Sequence, residues 1–235
     1  MKKRTVLITG GTSGIGLAAA KRFLENGDNV HICGTNRRGK PITSGMHFYQ
    51  MDVRVTKEVK ETIEEIVRMD GIDIAFNNAG CGSAPSPIHE TLEEEWMKII
   101  DTNLNGIFRC MQEELKVMLA QGHGIIINNA SIAGITATAE TSAAYIAAKH
   151  GVIGLTKAAA NEYASQNIRI NAISPGGTET RMTAASKETL KEHIPLSRLA
   201  QPEEIANVVF WLCSSEASFL HGTNLIADGG QTCKL

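Results

Sequence analysis

Short runs of apolar, β-branched residues alternate along this chain with stretches of helical periodicity, and that alternation leaves few folds open. The runs at 5–8, 30–33, 47–51, 72–76, 125–127 and 168–173 read as buried strands, with a short last strand at 224–226. Between them the spacing predicts helices over 14–26, 56–69, 92–119, 142–164 and 203–213. Strands that are apolar on both faces and separated by helices belong to a parallel sheet covered on each side. The expected fold is an α/β, doubly wound, Rossmann-like sheet of about seven strands. In such a sheet ligands bind beyond the carboxyl ends of the strands. Polar motifs gather at those ends: Thr9-Gly10, Asn77-Asn78-Ala79-Gly80, Asn129-Ala130-Ser131 and Ser174-Pro175-Gly176.

The length of 235 residues suits one dinucleotide-binding and catalytic domain over 1–235. Charge is nearly balanced, with 23 Lys plus Arg against 25 Asp plus Glu, so no basic excess points to nucleic acid. No apolar run reaches the ~18 residues that span a bilayer. The basic start Met1-Lys2-Lys3-Arg4 superficially resembles a signal peptide, but its apolar run breaks at Thr9-Gly10-Gly11 and reads as a strand. The expectation is a cytoplasmic protein. Five cysteines (Cys33, Cys81, Cys110, Cys213, Cys233) without a CxxC pair predict reduced thiols, and the seven histidines show no metal spacing. Cys81 reads as a packed loop residue rather than a redox thiol.

The first strand runs into Thr9-Gly10-Gly11-Thr12-Ser13-Gly14-Ile15-Gly16 and then a helix. Glycines let this backbone turn tightly and approach a pyrophosphate, and the helix N-terminus supplies free N–H groups with partial positive charge. The spacing is G-x-x-x-G-x-G rather than the literal G-x-G-x-x-G. An NAD site usually closes its second strand with a carboxylate for the ribose 2′-OH. Here that position falls on Gly34, followed by Thr35-Asn36-Arg37-Arg38. Nothing there repels a 2′-phosphate, and the guanidiniums of Arg37 and Arg38 can pair with one. NADP(H) is therefore expected in preference to NAD(H).

Tyr145 and Lys149 stand four apart in a predicted helix and share a face. A free tyrosine has a pKa of ~10, and bringing it to ~7 needs about 4 kcal/mol of differential interaction. A neighbouring ammonium in a dry site can supply that. Ser131 lies fourteen residues before Tyr145, just after a strand, where its hydroxyl can hold a substrate oxygen. Asn103, mid-helix, needs partners if buried, and a water leading to Lys149 is one.

Taken together, these motifs resemble the short-chain dehydrogenase/reductase family in its compact single-domain branch, with 3-oxoacyl reductase-like members nearest in character. The resemblance covers nearly the whole chain. It places the cofactor on Gly10, Thr12, Ser13, Gly14, Ile15, Gly16, Thr35, Arg37, Arg38, Asp52, Val53, Asn78, Ala79, Gly80, Tyr145, Lys149, Pro175, Gly176, Thr178 and Thr180, with Asp52 in the adenine pocket. Met182 closes the Pro-Gly-x-x-x-Thr-x-Met segment that holds the nicotinamide carboxamide, and Pro202-Glu203-Glu204-Ile205 and Ala227-Asp228-Gly229-Gly230 also match. The usual serine-to-tyrosine spacing is one shorter, which an extra loop residue explains. Arginines that dock an acyl carrier in some members are replaced here by Gly122 and Gln166.

The resemblance implies hydride transfer between a nicotinamide and a carbonyl or secondary alcohol. Tyr145 is then the general acid/base, Lys149 lowers its pKa and binds the nicotinamide ribose, Ser131 orients the substrate oxygen, and Asn103 holds a proton-relaying water. The segment 181–194 is expected to form a substrate lid, with 81–87 as a second wall. A dinucleotide-sensing regulator on the same fold is the alternative, and the intact Tyr145–Lys149 pair argues against it. An epimerase or dehydratase would carry a larger C-terminal region. Small and apolar residues around the helix at 143–164 predict a homotetramer packed on the two long helices.

Overall fold

β1 (Thr5–Thr9), β2 (Asn29–Gly34), β3 (Met46–Gln50), β4 (Ile74–Asn77), β5 (Gly124–Asn129), β6 (Ile168–Pro175) and β7 (Asn224–Ala227) form one sheet in a computed structural model, which describes residues 3–35, 43–138 and 140–234. The strand order is β3-β2-β1-β4-β5-β6-β7 and every pairing is parallel. The chain thus steps outward from β1 to one side, returns, and builds the other side. The crevice where the direction reverses opens between β1 and β4, at their carboxyl ends.

Alternation along each strand builds two cores. Val6 and Ile8 of β1 join Phe23, Ile32, Phe76, Ile127 and Val209 on the face covered by α1 (Gly14–Glu25) and α7 (Pro202–Leu212). Leu7 points the other way, to Ile63, Ile107, Met118, Ile126 and Val152, under α2 (Thr56–Met69), α4 (Gly106–Gln121) and α5 (Ala143–Tyr163). Each fully buried Leu, Ile or Phe contributes about 1.5–3 kcal/mol relative to exposure. Ala18, Ala19 and Ala20 let α1 sit close on the sheet, while Arg22 lies 3.9 Å over the Phe210 ring of α7.

The predicted strands and helices at the sheet all form, with shifted ends. Two elements differ. The helix expected over 92–119 is three pieces: α3 (Glu93–Ile100), a π-turn (Asp101–Asn105) and α4. The expected lid contains a short helix, α6 (Lys187–His193), whose seven mostly polar residues bury none of their number and so carry no core-facing stripe to read. Gly122 ends α4 in the left-handed conformation (φ 77°), with its N–H and that of His123 turned back onto Met118 O. That geometry explains a glycine at this position. Among the described residues no helix is long and apolar enough to cross a membrane.

Candidate active site

Thr9 closes β1 and starts the site. Its hydroxyl accepts the N–H groups of Asn78 (2.9 Å) and Ala79 (3.0 Å), just beyond β4. The Asn78 amide donates back to Thr9 O (3.1 Å) and Gly10 O (3.3 Å). The two strand ends are thereby laced, and the glycines are what this closeness demands. A Cβ on Gly16 would stand 2.5 Å from Gly10 O, and one on Gly10 would stand 2.9 Å from Ala79 Cα. Gly10 and Gly14 also have positive φ, 65° and 53°.

The donor set suits a dinucleotide. Ser13 stands at the N-cap of α1 without making a side-chain cap, and no acidic residue lies in the first turn. The N–H groups of this turn therefore point, uncapped and unopposed by negative charge, at the place a pyrophosphate would take. Thr180 faces the turn from the other side of the crevice, its Cγ2 lying 3.3 Å from a Cβ built on Gly14. Thr12 lies against Gly34 at the end of β2, and Thr35 is exposed there. Arg37 and Arg38 lie outside the described residues. Ile15 packs on the core beneath the turn.

Beyond β3, Val53 is buried against Gly106, whose added Cβ would come 2.7 Å from Val53 Cγ2. Asp52 is engaged in a way its sequence does not announce. Its carboxylate takes Arg54 Nε at 3.0 and 3.1 Å, Arg54 Nη2 at 2.6 Å and the Arg54 N–H at 2.9 Å. The guanidinium, as the dominant cause, holds this carboxyl below its ordinary value. Across the crevice Gly176 is pressed against β7, since a Cβ there would lie 2.7 Å from Asp228 Cβ. Pro175 ends β6, and Thr178 Oγ1 donates to Gly176 O at 3.0 Å.

On α5, Lys149 is almost wholly buried, and its ammonium donates to Asn129 O at 2.6 Å. It lies 5.6 Å from the centroid of the Tyr145 ring. Ser131 stands near enough to the Tyr145 phenol to act on its acidity, and its Oγ accepts from Ala133 N at 3.1 Å. The four-residue spacing thus brings Tyr145 and Lys149 together, and the extra loop residue leaves Ser131 in reach. Burial pulls Lys149 down to about 8. Burial also raises Tyr145 above its ordinary value, while Ser131 acts to lower it. The expected depression of the phenol is therefore not present in the protein residues alone, because the ammonium is turned onto Asn129 O. Ser142, which caps α5 and meets the Tyr145 N–H at 3.4 Å, is tied to Ser83 Oγ at 2.7 Å.

Asn103 sits in the π-turn with no exposed surface. Its Oδ1 accepts from Cys81 N (3.0 Å), and its Nδ2 donates to Cys81 O (2.9 Å) and Ile99 O (3.0 Å). These partners are main-chain groups of Cys81 and Ile99. One lone pair of Oδ1 is all the side chain has left to offer. Its role here is to clamp the 80–81 segment, and a Cβ on Gly80 would come 2.7 Å from Asn103 Oδ1. The sequence places Thr9 and Asn129 in motifs at the strand ends but does not announce their partners, nor the part of the Cys81 main chain. The signal available for Asn129 was a pair of asparagines ending an otherwise apolar strand. On the lid, Met182 lies over Gly82, and Lys187 pairs with Glu179, which also takes Gln201 Nε2 at 2.8 Å.

A parallel sheet with a glycine turn at its switch point and a Tyr–Lys pair beside it defines a nicotinamide-dinucleotide oxidoreductase by class. More particularly, the chain belongs to the short-chain dehydrogenase/reductase family. The family profile described as "Enoyl-(Acyl carrier protein) reductase" matches residues 10–232. The chain is 38% identical over 242 residues to a cyclohexanol dehydrogenase of Acinetobacter sp. (strain SE19), covering 98% of this chain and 96% of that one. It is also 38% identical over 241 residues to a 3-oxoacyl-(acyl-carrier-protein) reductase of Staphylococcus epidermidis, covering 97% and 98%. Among solved structures, an actinorhodin polyketide ketoreductase with NADPH aligns with a TM-score of 0.92 at 32% identity, covering 97% of each chain. Levodione reductase aligns at 0.91 and 33%, covering 99% and 98%. The protein is an NAD(P)(H)-dependent oxidoreductase that interconverts a carbonyl and an alcohol.

Proposed function

We propose that the protein reduces a ketone to a secondary alcohol with NADPH, and that Tyr145, Lys149, Ser131 and Asn103 carry the site. The observation that carries the proposal is the buried Lys149 ammonium on Asn129 O beside the Tyr145 ring. Bound nicotinamide supplies the hydride. The chain supplies the proton and the geometry. Tyr145 donates its phenolic proton to the oxygen that becomes the alcohol, and Ser131 holds that oxygen in line. Lys149 keeps positive charge next to the phenol and offers its ammonium to the nicotinamide ribose. Asn103 acts as a positioning residue through Cys81 rather than on the substrate.

The dinucleotide would lie along Gly10, Thr12, Ser13, Gly14, Ile15 and Gly16. Asp52 and Val53 would meet the adenine, Asn78, Ala79 and Gly80 would line the crevice, and Pro175, Gly176, Thr178 and Thr180 would face the nicotinamide. The NADP preference rests on the absence of a carboxylate at Gly34 and on Arg37 and Arg38. Free thiols at Cys33, Cys81, Cys110, Cys213 and Cys233 suit a reducing cytoplasmic setting. We further propose a homotetramer. Met97 and Phe108 on the α3–α4 face are each 50% exposed, and Trp211 and Ile226 are exposed near the β7 edge.

Fluorescence titration with NADPH and NADH tests the reading, on wild type and on Arg37→Ala/Arg38→Ala. NADPH is expected to bind about 10-fold or more tightly than NADH, and the double variant to lose that margin, as for paired guanidiniums on a phosphate. Equal affinities would overturn the NADP preference. No binding of either would overturn the site itself.

A further inference from the structure

Glu114 takes no part in the chemistry described so far, yet it lies directly behind it. It has no exposed surface, and its side chain leaves α4 to enter the core beneath the ends of β4 and β5. Its Oε2 accepts from Asn77 Nδ2 at 2.9 Å. The same amide donates to Asn128 Oδ1 at 3.2 Å, and Asn128 Nδ2 donates to Thr156 Oγ1 of α5 at 2.9 Å. Thr156 in turn donates to Val152 O at 2.8 Å. Asn77, Asn128 and Thr156 are all buried. Asn77 and Asn128 each immediately precede a residue that builds the site. Asn78 laces the glycine turn, Asn129 O takes the Lys149 ammonium, and Asn129 Nδ2 joins the two by donating to Asn78 Oδ1 at 2.9 Å. A buried polar row and the site row therefore run side by side, one residue apart.

The buried row holds two acceptors that no donor meets among the described residues. Among the described residues Glu114 Oε1 and Asn77 Oδ1 have no hydrogen-bond partner, and both are acceptors when the carboxyl is ionised. No salt bridge reaches Glu114 among them either, so a carboxylate would be a buried charge met by one neutral amide. A carboxylic acid removes that charge and turns Oε1 from an unpaired acceptor into a donor. We infer that Glu114, held as a neutral acid, is a positioning residue of this site. It ties α4 to the ends of β4 and β5, and its ionisation loosens the paired asparagines behind the glycine turn and Lys149. The inference rests on the reading of Lys149 and the glycine turn given above.

Burial pushes the Glu114 carboxyl up to about 8, partly offset by the Asn77 hydrogen bond, which agrees with a neutral acid at pH 7. The titratable groups that reach it are Cys110, on its own helix, and Cys33 of β2, both held protonated by burial. The other elements packed here present neutral groups: Val59, Ile63 and Ile66 from α2, Asn77 from β4, Asn128 from β5, and Val152 and Thr156 from α5.

The test compares wild type with Glu114→Gln and Glu114→Leu, using NADPH affinity by fluorescence and the infrared carbonyl band of a protonated carboxylic acid. Glu114→Leu, which strands the Asn77 amide, is expected to weaken NADPH about 10-fold at neutral pH, and Glu114→Gln to restore it. Between about pH 7 and 10 the loss of NADPH affinity is expected to be about 10-fold larger in wild type than in Glu114→Gln, the remainder being Lys149. The wild-type acid band should fade over the same range and be missing from Glu114→Gln. Equal alkaline losses in the two proteins, or a band that Glu114→Gln leaves in place, overturns the inference. Should Glu114→Leu fail to fold, the wild-type and Glu114→Gln comparison still decides. Lys149→Met is titrated alongside, and normal NADPH affinity there overturns the parent reading of the site rather than the role of Glu114 alone.

Discussion

Lys149 and Glu114 are buried titratable side chains of opposite sign, and their effects on stability run in opposite directions with pH. Glu114 is raised from 4.5 to about 8, so the folded chain keeps a proton that the unfolded chain has released. Its contribution is fully present below 4.5 and is lost as pH rises to about 8. Lys149 is lowered from 10.5 to about 8, so above 8 the unfolded chain binds the extra proton and stability rises with pH toward 10.5. Urea unfolding across this range should therefore show Glu114→Gln flattening the fall on the acid side and Lys149→Met removing the rise on the alkaline side. Slopes unchanged in the variants would refute the assignment. For chemistry, Tyr145→Phe is expected to lower kcat by about 10²–10⁴-fold, the usual range for a lost general acid, with a far smaller loss of NADPH affinity. Stopped-flow kinetics with separate cofactor titration checks the split. Tyr145 and Lys149 were legible because helical spacing alone puts them on one face. The contacts of Thr9, Asn129 and Glu114 were not, because their partners lie far along the chain, 69 residues for Thr9 and Asn78.

Among the elements, the π-turn at Asp101–Asn105 does most to shape the site. Ile99, Asn103 and Ile107 are buried and spaced by four. In an uninterrupted α-helix that spacing drifts by about 40° per step, and the wider turn keeps the three in line. Asn103 can then face Cys81 while α4 still presents Ile107, Cys110, Glu114 and Met118 to the core. Deleting Thr102 is expected to close the wide turn into regular α-helix, which leaves the core-facing side of α4 in phase with α3 but displaces Asn103. The Asn103 clamp should be lost while the Glu114 row is kept, weakening NADPH binding and lowering the melting temperature. Calorimetry and titration read both, and a deletion variant with normal affinity would contradict this account. The element types were legible from apolar periodicity because the strands are buried on both faces. The π-turn was not, since a continuous apolar stripe looks the same whether one turn holds about four residues or five. α6 was missed for the converse reason, having no stripe at all.

At the scale of the whole molecule, the outward face of α5 carries Ala147, Gly154 and Ala158, all exposed, and nothing stands within 4 Å of a Cβ on Gly154. Small side chains allow a second helix to approach closely, as the proposed tetramer requires. Light scattering is expected to give a tetramer mass for wild type and a smaller species for Gly154→Arg with unchanged circular dichroism. An unchanged mass would argue against α5 as the contact. The strand order has a further consequence, for how the molecule is made. β1 to β4 complete one half of the sheet, with the glycine turn in it, before β5 is synthesised. Each later strand then adds to the same advancing edge, in order of emergence from the ribosome. The nucleotide-binding half can settle while Ser131, Tyr145 and Lys149 are still untranslated, so competence to hold the cofactor precedes competence to use it. Protease protection of chains stalled at increasing lengths would reveal that order, appearing first over the segment from β1 to β4.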